Sequence, residues 1–218
     1  MKLDRSSMLL YAVTDRSWLG TRSLYECVEC ALRGGVTCVQ LREKELAEDA
    51  FLDEAKAINA LCKSYGVPFF INDNVDVALK CGADGVHIGQ CDAAARDVRA
   101  RAGGRLLLGV SAQNAAQAVA AQKDGADYIG VGAIFPTQTK TDADDVSISV
   151  LREICAAVSI PVVAIGGINK RNITLLHGSG ADGVALVSAI FAADDIEREC
   201  RLLRKLSSEM TQKEDSHD

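Results

Sequence analysis

Two aspartates and three long cationic side chains are the residues of this sequence best suited to chemistry on a charged substrate. Asp73 and Asp92 follow two successive short apolar runs, residues 68–71 and 85–88. Two neighbouring carboxylates present hard oxygen ligands, and Mg2+ commonly takes one or two carboxylates together with the oxygens of a phosphorylated substrate. The pair therefore predicts a diphosphate. Arg42 and Lys44, in Gln40-Leu41-Arg42-Glu43-Lys44, and Lys140, in Phe135-Pro136-Thr137-Gln138-Thr139-Lys140, supply positive charge. Arg meets phosphate oxygens with a planar two-pronged donor and Lys acts as a mobile point charge, so the three suit a clamp on a departing pyrophosphate. Gly166-Gly167 and Val187-Ser188 indicate a second, separate phosphate, held by backbone N–H groups at a helix start.

These residues are scattered along the chain, so a fold that returns each of them to one rim is required. Short apolar runs alternate with longer amphipathic stretches from end to end, the pattern of repeated βα units and a parallel sheet. Eight strands are predicted, at residues 9–13, 38–41, 68–71, 85–88, 106–110, 128–133, 161–165 and 183–187, each followed by a helix candidate. Glycine-rich signals such as Cys81-Gly82-Ala83-Asp84-Gly85 and Ser179-Gly180-Ala181-Asp182-Gly183 separate helix from strand, because glycine accepts the left-handed backbone that ends a helix. Eight such units with strands apolar on both faces predict an α/β fold of the (β/α)8 TIM-barrel type over residues 1–206, followed by a polar, frayed tail at 207–218. An open doubly wound sheet is disfavoured: Gly130-Val131-Gly132 gives only the first two glycines of a dinucleotide fingerprint, within a strand.

Working residues of such a barrel gather where the strands end at their C-terminal sides. The first strand delivers Thr14-Asp15-Arg16, the second Gln40 to Lys44, the third Asn72-Asp73 and the fourth Gly89-Gln90-Cys91-Asp92. Ser111 follows the fifth, the stretch Phe135 to Lys140 the sixth, Gly166-Gly167 the seventh and Val187-Ser188 the eighth.

Bulk properties narrow the partners. A formal charge of −6 over 218 residues opposes nucleic acid and anionic membrane surfaces, which recruit basic faces. The longest nearly apolar run, residues 183–193, is well short of the roughly 20 residues that span a bilayer. The mixed charges of the first five residues are unlike a secretory signal. A cytoplasmic protein acting on small molecules is expected. Its eight cysteines fall mostly in helical or apolar patterns and read as small buried groups, including the Cys27-Val-Glu-Cys30 pair.

Plainer roles compete for some of these residues. Asp73 and Asp92 both suit helix capping, Asp92 because it precedes the helical run 93–102. Arg42-Glu43-Lys44 suits a solvated loop, Thr137 and Thr139 suit a turn after Pro136, and Gly167 suits a backbone bend. His87, within the fourth strand run, reads as a hydrogen-bonded core or rim histidine in preference to a catalyst.

In order and spacing, the motifs Leu10-Tyr11-Ala12-Val13-Thr14-Asp15, Gln40-Leu41-Arg42-Glu43-Lys44, Asn72-Asp73, Gly85-Val86-His87-Ile88-Gly89-Gln90 with Asp92, Phe135 to Lys140, and Ala164-Ile165-Gly166-Gly167-Ile168 resemble those of the thiamine-phosphate synthase family. The resemblance runs from Leu10 to about Leu206. It implies that Gln40, Arg42, Lys44, Asn72, Ser111 and Lys140 hold a pyrimidine diphosphate and that Asp73 and Asp92 bind Mg2+. Thr137, Thr139, Gly167, Val187 and Ser188 would hold a thiazole phosphate, with Leu41, Glu43 and Gln138 counted among the substrate contacts as members of the same stretches. Residues 111–114 and 142–149 depart from the family pattern; the latter, polar and placed after the sixth strand, is expected to act as a lid.

The reaction so implied is displacement of pyrophosphate from the pyrimidine methylene by the thiazole nitrogen, with Arg42, Lys44, Lys140 and Ser111 as the catalytic set. Two rivals are a thiazole tautomerase on the same barrel and a non-catalytic protein that binds thiamine precursors. The first has no diphosphate to hold and so no use for the aspartate pair or the three cations, and nothing outside the barrel resembles an effector domain for the second.

Overall fold

Eight runs of apolar residues form strands because their side chains are buried on both faces. They are β1 (Leu10–Val13), β2 (Cys38–Leu41), β3 (Phe69–Asn72), β4 (Gly85–Ile88), β5 (Leu107–Ala112), β6 (Tyr128–Val131), β7 (Val162–Ile165) and β8 (Gly183–Leu186). The computed structural model describes residues 3–89, 95–137 and 146–212. All eight strands are parallel and lie in sequence order around a closed barrel, with β8 pairing back onto β1 through Leu10↔Val184, Tyr11↔Ala185 and Ala12↔Leu186. Closure leaves no exposed sheet edge.

Alternation along each strand divides the core in two. Residues such as Ala12, Val39, Leu41, Ile71, Val86 and Val110 face outward and pack with the helices. Tyr11, Val13, Cys38, Phe70, Leu107, Tyr128, Val163 and Ala185 point inward and fill the barrel. Large and small inward residues are matched: a Cβ on Gly85 would come within 2.3 Å of the Phe70 ring, and one on Gly109 within 2.2 Å of the Tyr128 ring. The interior is thus a packed core, as such barrels require, and not a pore.

The helices are α1 (Leu24–Arg33), α2 (Glu48–Ser64), α3 (Val75–Cys81), α4 (Ala95–Ala102), α5 (Ala115–Lys123), α6 (Ile148–Ala157), α7 (Ser188–Phe191) and α8 (Ile196–Thr211). Side-chain caps start α1, α3, α5, α6 and α8, and on α1 Ser23 and Glu26 form a reciprocal capping box. The helix expected after β7 is instead a single 3-10 turn, Ile173–Leu176, with Ile173 and Leu176 fully buried beneath α8. Gly178, at φ 68°, ends that turn before a second can form.

The boundary expected at residue 206 falls inside the last helix. Ser207 is fully buried, with its hydroxyl donating to the Leu9 carbonyl, and Met210 is buried as well. The spacing of Leu203, Ser207 and Met210 keeps one face of α8 against the barrel. Its single polar atom made Ser207 look like tail, whereas that atom is satisfied internally. No helix among the described residues is long and apolar enough to cross a membrane.

Candidate active site

At the ends of β1 and β2, register decides which charges meet. Val13 pairs with Gln40, so Thr14 and Asp15 arrive beside Arg42. The Thr14 hydroxyl accepts from the Arg42 backbone N–H at 3.0 Å, and Nη1 of Arg42 donates to the Asp15 carboxylate at 2.8 Å. Arg42 is therefore braced through both backbone and side chain. Lys44 is exposed and makes no ion pair among the described residues, as a mobile cation at a rim would.

Glu43 has a different task from the substrate contact expected of it. One carboxylate oxygen takes the Nε–H of Arg16, and the other accepts the backbone N–H groups of Lys44 and Glu45 at 2.8 and 2.9 Å. Burial alone would raise its pKa; the hydrogen bonds from Glu45, Arg16 and Lys44 outweigh that and hold the carboxyl below its ordinary value. The side chain is 2% exposed and shapes the loop that carries Lys44. Leu41 likewise turns its side chain outward into the helix-facing core, leaving only its backbone to the barrel mouth.

At the end of β3, Asp73 adopts φ 61°, the one described non-glycine residue with positive φ. The Asn74 N–H closes onto the Asn72 carbonyl at 2.7 Å, making a tight three-residue turn with Asp73 at its apex. The helix cap is Asn74, whose side chain accepts from the Val77 N–H at 2.9 Å. Capping is thus done by its neighbour, and Asp73 is left exposed at the rim with the Asn72 side-chain amide donating to its carboxylate. Such strained residues cluster where function holds them. Asp92, the expected partner of Asp73, lies outside the described residues.

Below the rim, the barrel interior holds a polar chain that the sequence did not reveal. The Gln40 Nε2 donates to the Tyr11 hydroxyl at 2.9 Å, the Tyr11 and Tyr128 hydroxyls are 2.9 Å apart, and Tyr128 lies 2.8 Å from Nδ1 of His87. The other His87 nitrogen, Nε2, is 3.0 Å from the Ser111 hydroxyl. Tyr11 and Tyr128 lie in apolar runs and read as core. The available signal was that a buried phenol needs a partner for its hydroxyl.

On the opposite side of the mouth, Gly166 and Gly167 take φ 98° and 64°. A Cβ on Gly167 would lie 2.5 Å from the carbonyl oxygens of both Phe135 and Pro136, so the turn after β7 is pressed against the segment leading to Thr137. Val187 precedes α7 and Ser188 opens it, where the first N–H groups have no partner within the helix. Gln138, Thr139 and Lys140 lie outside the described residues, as do 142–145 of the expected lid.

Arg42, Lys44, Asn72, Asp73, Ser111, Gly167, Val187 and Ser188 therefore come from five strand ends and face one rim. Residues 10–190 match the family of thiamine monophosphate synthase. A thiamine-phosphate synthase of Clostridium botulinum is 50% identical over 204 residues, which is 94% of this chain and 94% of the relative. This chain belongs to the thiamine monophosphate synthase family. The thiamine-phosphate synthase of Clostridium tetani is 48% identical, over 89% of this chain and 93% of its own. A solved thiamine phosphate pyrophosphorylase from Pyrococcus furiosus superposes with a TM-score of 0.88 at 38% identity, covering 95% of this chain and 99% of that one.

As a member of the thiamine monophosphate synthase family the chain is an enzyme of thiamine biosynthesis, and Cys38, Cys62, Cys155 and Cys200 are not its nucleophiles. Burial pushes the thiols of Cys62, Cys155 and Cys200 up to about 12 and that of Cys38 well above its ordinary value, so none is a thiolate at neutral pH. The family's barrel also supplies a donor suited to a hard divalent cation: the Asp73 carboxylate, exposed, relieved of capping and oriented by Asn72. An oxygen donor of this kind fits Mg2+, which keeps water and substrate oxygens among its ligands.

Proposed function

We propose that this protein condenses 4-amino-2-methyl-5-(diphosphooxymethyl)pyrimidine with 4-methyl-5-(2-phosphooxyethyl)thiazole to give thiamine phosphate and pyrophosphate in a Mg2+-dependent reaction. The observation that carries this reading is the braced Arg42, 2.8 Å from Asp15, at the same rim as Lys44 and the uncapping Asp73. A diphosphate has use for all three; a phosphate monoester alone does not.

Arg42, Lys44, Asn72 and Lys140 grip the diphosphate, and Ser111 and Gln40 hold the pyrimidine end. Asp73 and Asp92 would hold Mg2+, which would supply further neutralisation of the leaving oxygens. The methylene C–O bond breaks with its electron pair passing to pyrophosphate, ahead of bond making, because the aminopyrimidine stabilises the resulting cation. The thiazole nitrogen then donates its lone pair to the methylene carbon. No protein nucleophile is needed; the side chains act by neutralising developing charge and by fixing the two reactants in line. Gly167, Val187, Ser188 and the stretch Thr137-Gln138-Thr139 hold the thiazole phosphate.

Mixing the purified protein with both precursors and Mg2+ tests this. Equal amounts of pyrophosphate and thiamine phosphate are expected; release of neither overturns the proposal.

A further inference from the structure

Inside the barrel, the hydrogen bonds from Gln40 to Ser111 form one unbroken chain, and the obligatory donor at its Gln40 end gives the direction in which it is read. An amide nitrogen only donates, so the Gln40 Nε2, 2.9 Å away, gives its proton to the Tyr11 oxygen. Tyr11 and Tyr128 are each 1% exposed, and burial raises both phenols well above 10, so each keeps one proton to pass on. In the arrangement where every member spends its one proton inside the chain, Tyr11 donates to Tyr128 across 2.9 Å and Tyr128 donates to Nδ1 of His87 across 2.8 Å. Nδ1 is then an acceptor, and a neutral imidazole that accepts at Nδ1 carries its proton on Nε2. That proton points at the Ser111 oxygen, 3.0 Å away. With its oxygen occupied by His87, Ser111 directs its own proton to some other partner.

The surrounding residues keep this chain in place. Phe70 meets Tyr128 edge-on with ring centroids 5.4 Å apart, and Tyr11 meets it at 6.0 Å. Gly109 leaves the space that the Tyr128 ring fills, and a Cβ on Gly130 would stand 3.1 Å from Cε1 of His87. Five strands thus contribute an acceptor, a donor or a vacant Cβ position to a single geometry.

We infer that His87 is a positioning residue that, as its Nε2–H tautomer, holds the Ser111 hydroxyl as a hydrogen-bond donor toward the bound pyrimidine diphosphate. The target of that proton rests on the reading of Ser111 given under the proposed function; the tautomer does not. By the same directionality the amide oxygen of Gln40 is kept as an acceptor, so the two ends of the chain present opposite polarities to the substrate.

Two measurements test the inference. The first is 15N NMR of the protein labelled at its histidine rings, without metal or substrate. Wild type is expected to show His87 with a protonated Nε2 and an unprotonated Nδ1, and Tyr128→Phe, which keeps the ring but removes the donor, a mixture of tautomers. A predominant Nδ1–H form in wild type overturns the inference. The second is kinetics with each precursor varied. His87→Leu should lower kcat/KM for the pyrimidine diphosphate about tenfold, the worth of one hydrogen bond, and leave KM for the thiazole phosphate within about twofold. His87→Gln, whose amide N–H reaches about as far as Nε2, should recover most of the loss. Equal losses in both variants, or a loss shared by both substrates, would assign His87 a packing role only. A wild type that makes no thiamine phosphate refutes the reading of the site and the target of the Ser111 proton with it, whereas a competent wild type with an indifferent His87→Leu refutes the inference alone.

Discussion

The guanidinium of Arg42 lies 2.8 Å from the carboxylate of Asp15, tying the end of β2 to the end of β1 with side chains 19% and 13% exposed. Such a pair is screened less than one on the open surface. Asp15 uses one edge of the guanidinium and fixes its plane, so Arg42 meets an incoming phosphate already oriented, without the entropy loss of ordering a long side chain on binding.

Asp15→Asn should therefore weaken capture of the pyrimidine diphosphate while leaving the fold intact. We expect KM for that substrate to rise about tenfold, the equivalent of about 1.4 kcal/mol, with KM for the thiazole phosphate unchanged. Steady-state kinetics with each substrate varied in turn checks this, and wild-type KM values would show that Asp15 does not orient Arg42.

Asp73 offers a case in which stability and activity should part. Its φ of 61° is a conformation that glycine adopts at no steric cost. Asp73→Gly should accordingly be at least as stable as wild type, gaining about 0.5–1 kcal/mol from relieved strain, yet need much more Mg2+ for turnover. Asp73→Asn should share the metal defect without the gain in stability. Thermal melts beside Mg2+ titrations of activity separate the two effects; a normal metal response in both variants would remove Asp73 from the site.

How far this site could be read from sequence depends on whether a residue's role is set by its own strand or by a neighbour. The bounds of β2 and β4 are those expected, because Gly35 and Gly82 mark where the preceding helices end, and the rim position of Arg42 follows from that of β2. The Asp15–Arg42 pair was not legible, since it depends on the register of β1 against β2. Nor was the release of Asp73 from capping, which turns on a one-residue choice between Asp73 and Asn74. Ser207 was assigned to the tail because a hydroxyl reads as surface-seeking, whereas its hydroxyl, like those of Tyr11 and Tyr128, is satisfied inside the protein.

Glu43 predicts a pH-dependent share of stability. Its carboxyl is held below 4.5 in the folded chain, so the ionised form is favoured by folding. That stabilisation is complete above the ordinary value of 4.5 and is lost as pH falls through the lower folded value. Glu43→Gln should thus cost about 1–3 kcal/mol at neutral pH, where buried charge-assisted bonds are lost, and progressively less as the solution is acidified below 4.5 and through the lower folded value. Chemical denaturation of both proteins across that range measures the gap, and a gap independent of pH would contradict the assigned role.

Gly167 is where backbone shape and ligand binding can be told apart. At φ 64° an alanine is strained, and its Cβ would press within 2.5 Å of the Phe135 and Pro136 carbonyl oxygens. Neither contact can be relieved by rotating a side chain, so Gly167→Ala must displace the turn after β7 or the segment that leads to Thr137. If that turn holds the thiazole phosphate, KM for this substrate should rise by about tenfold or more, while binding of the pyrimidine diphosphate, gripped across the mouth by Arg42 and Lys44, stays near wild type. A direct binding measurement with each precursor alone distinguishes this from general loosening: equal weakening for both would mean that Gly167 serves the barrel's shape and not the second phosphate.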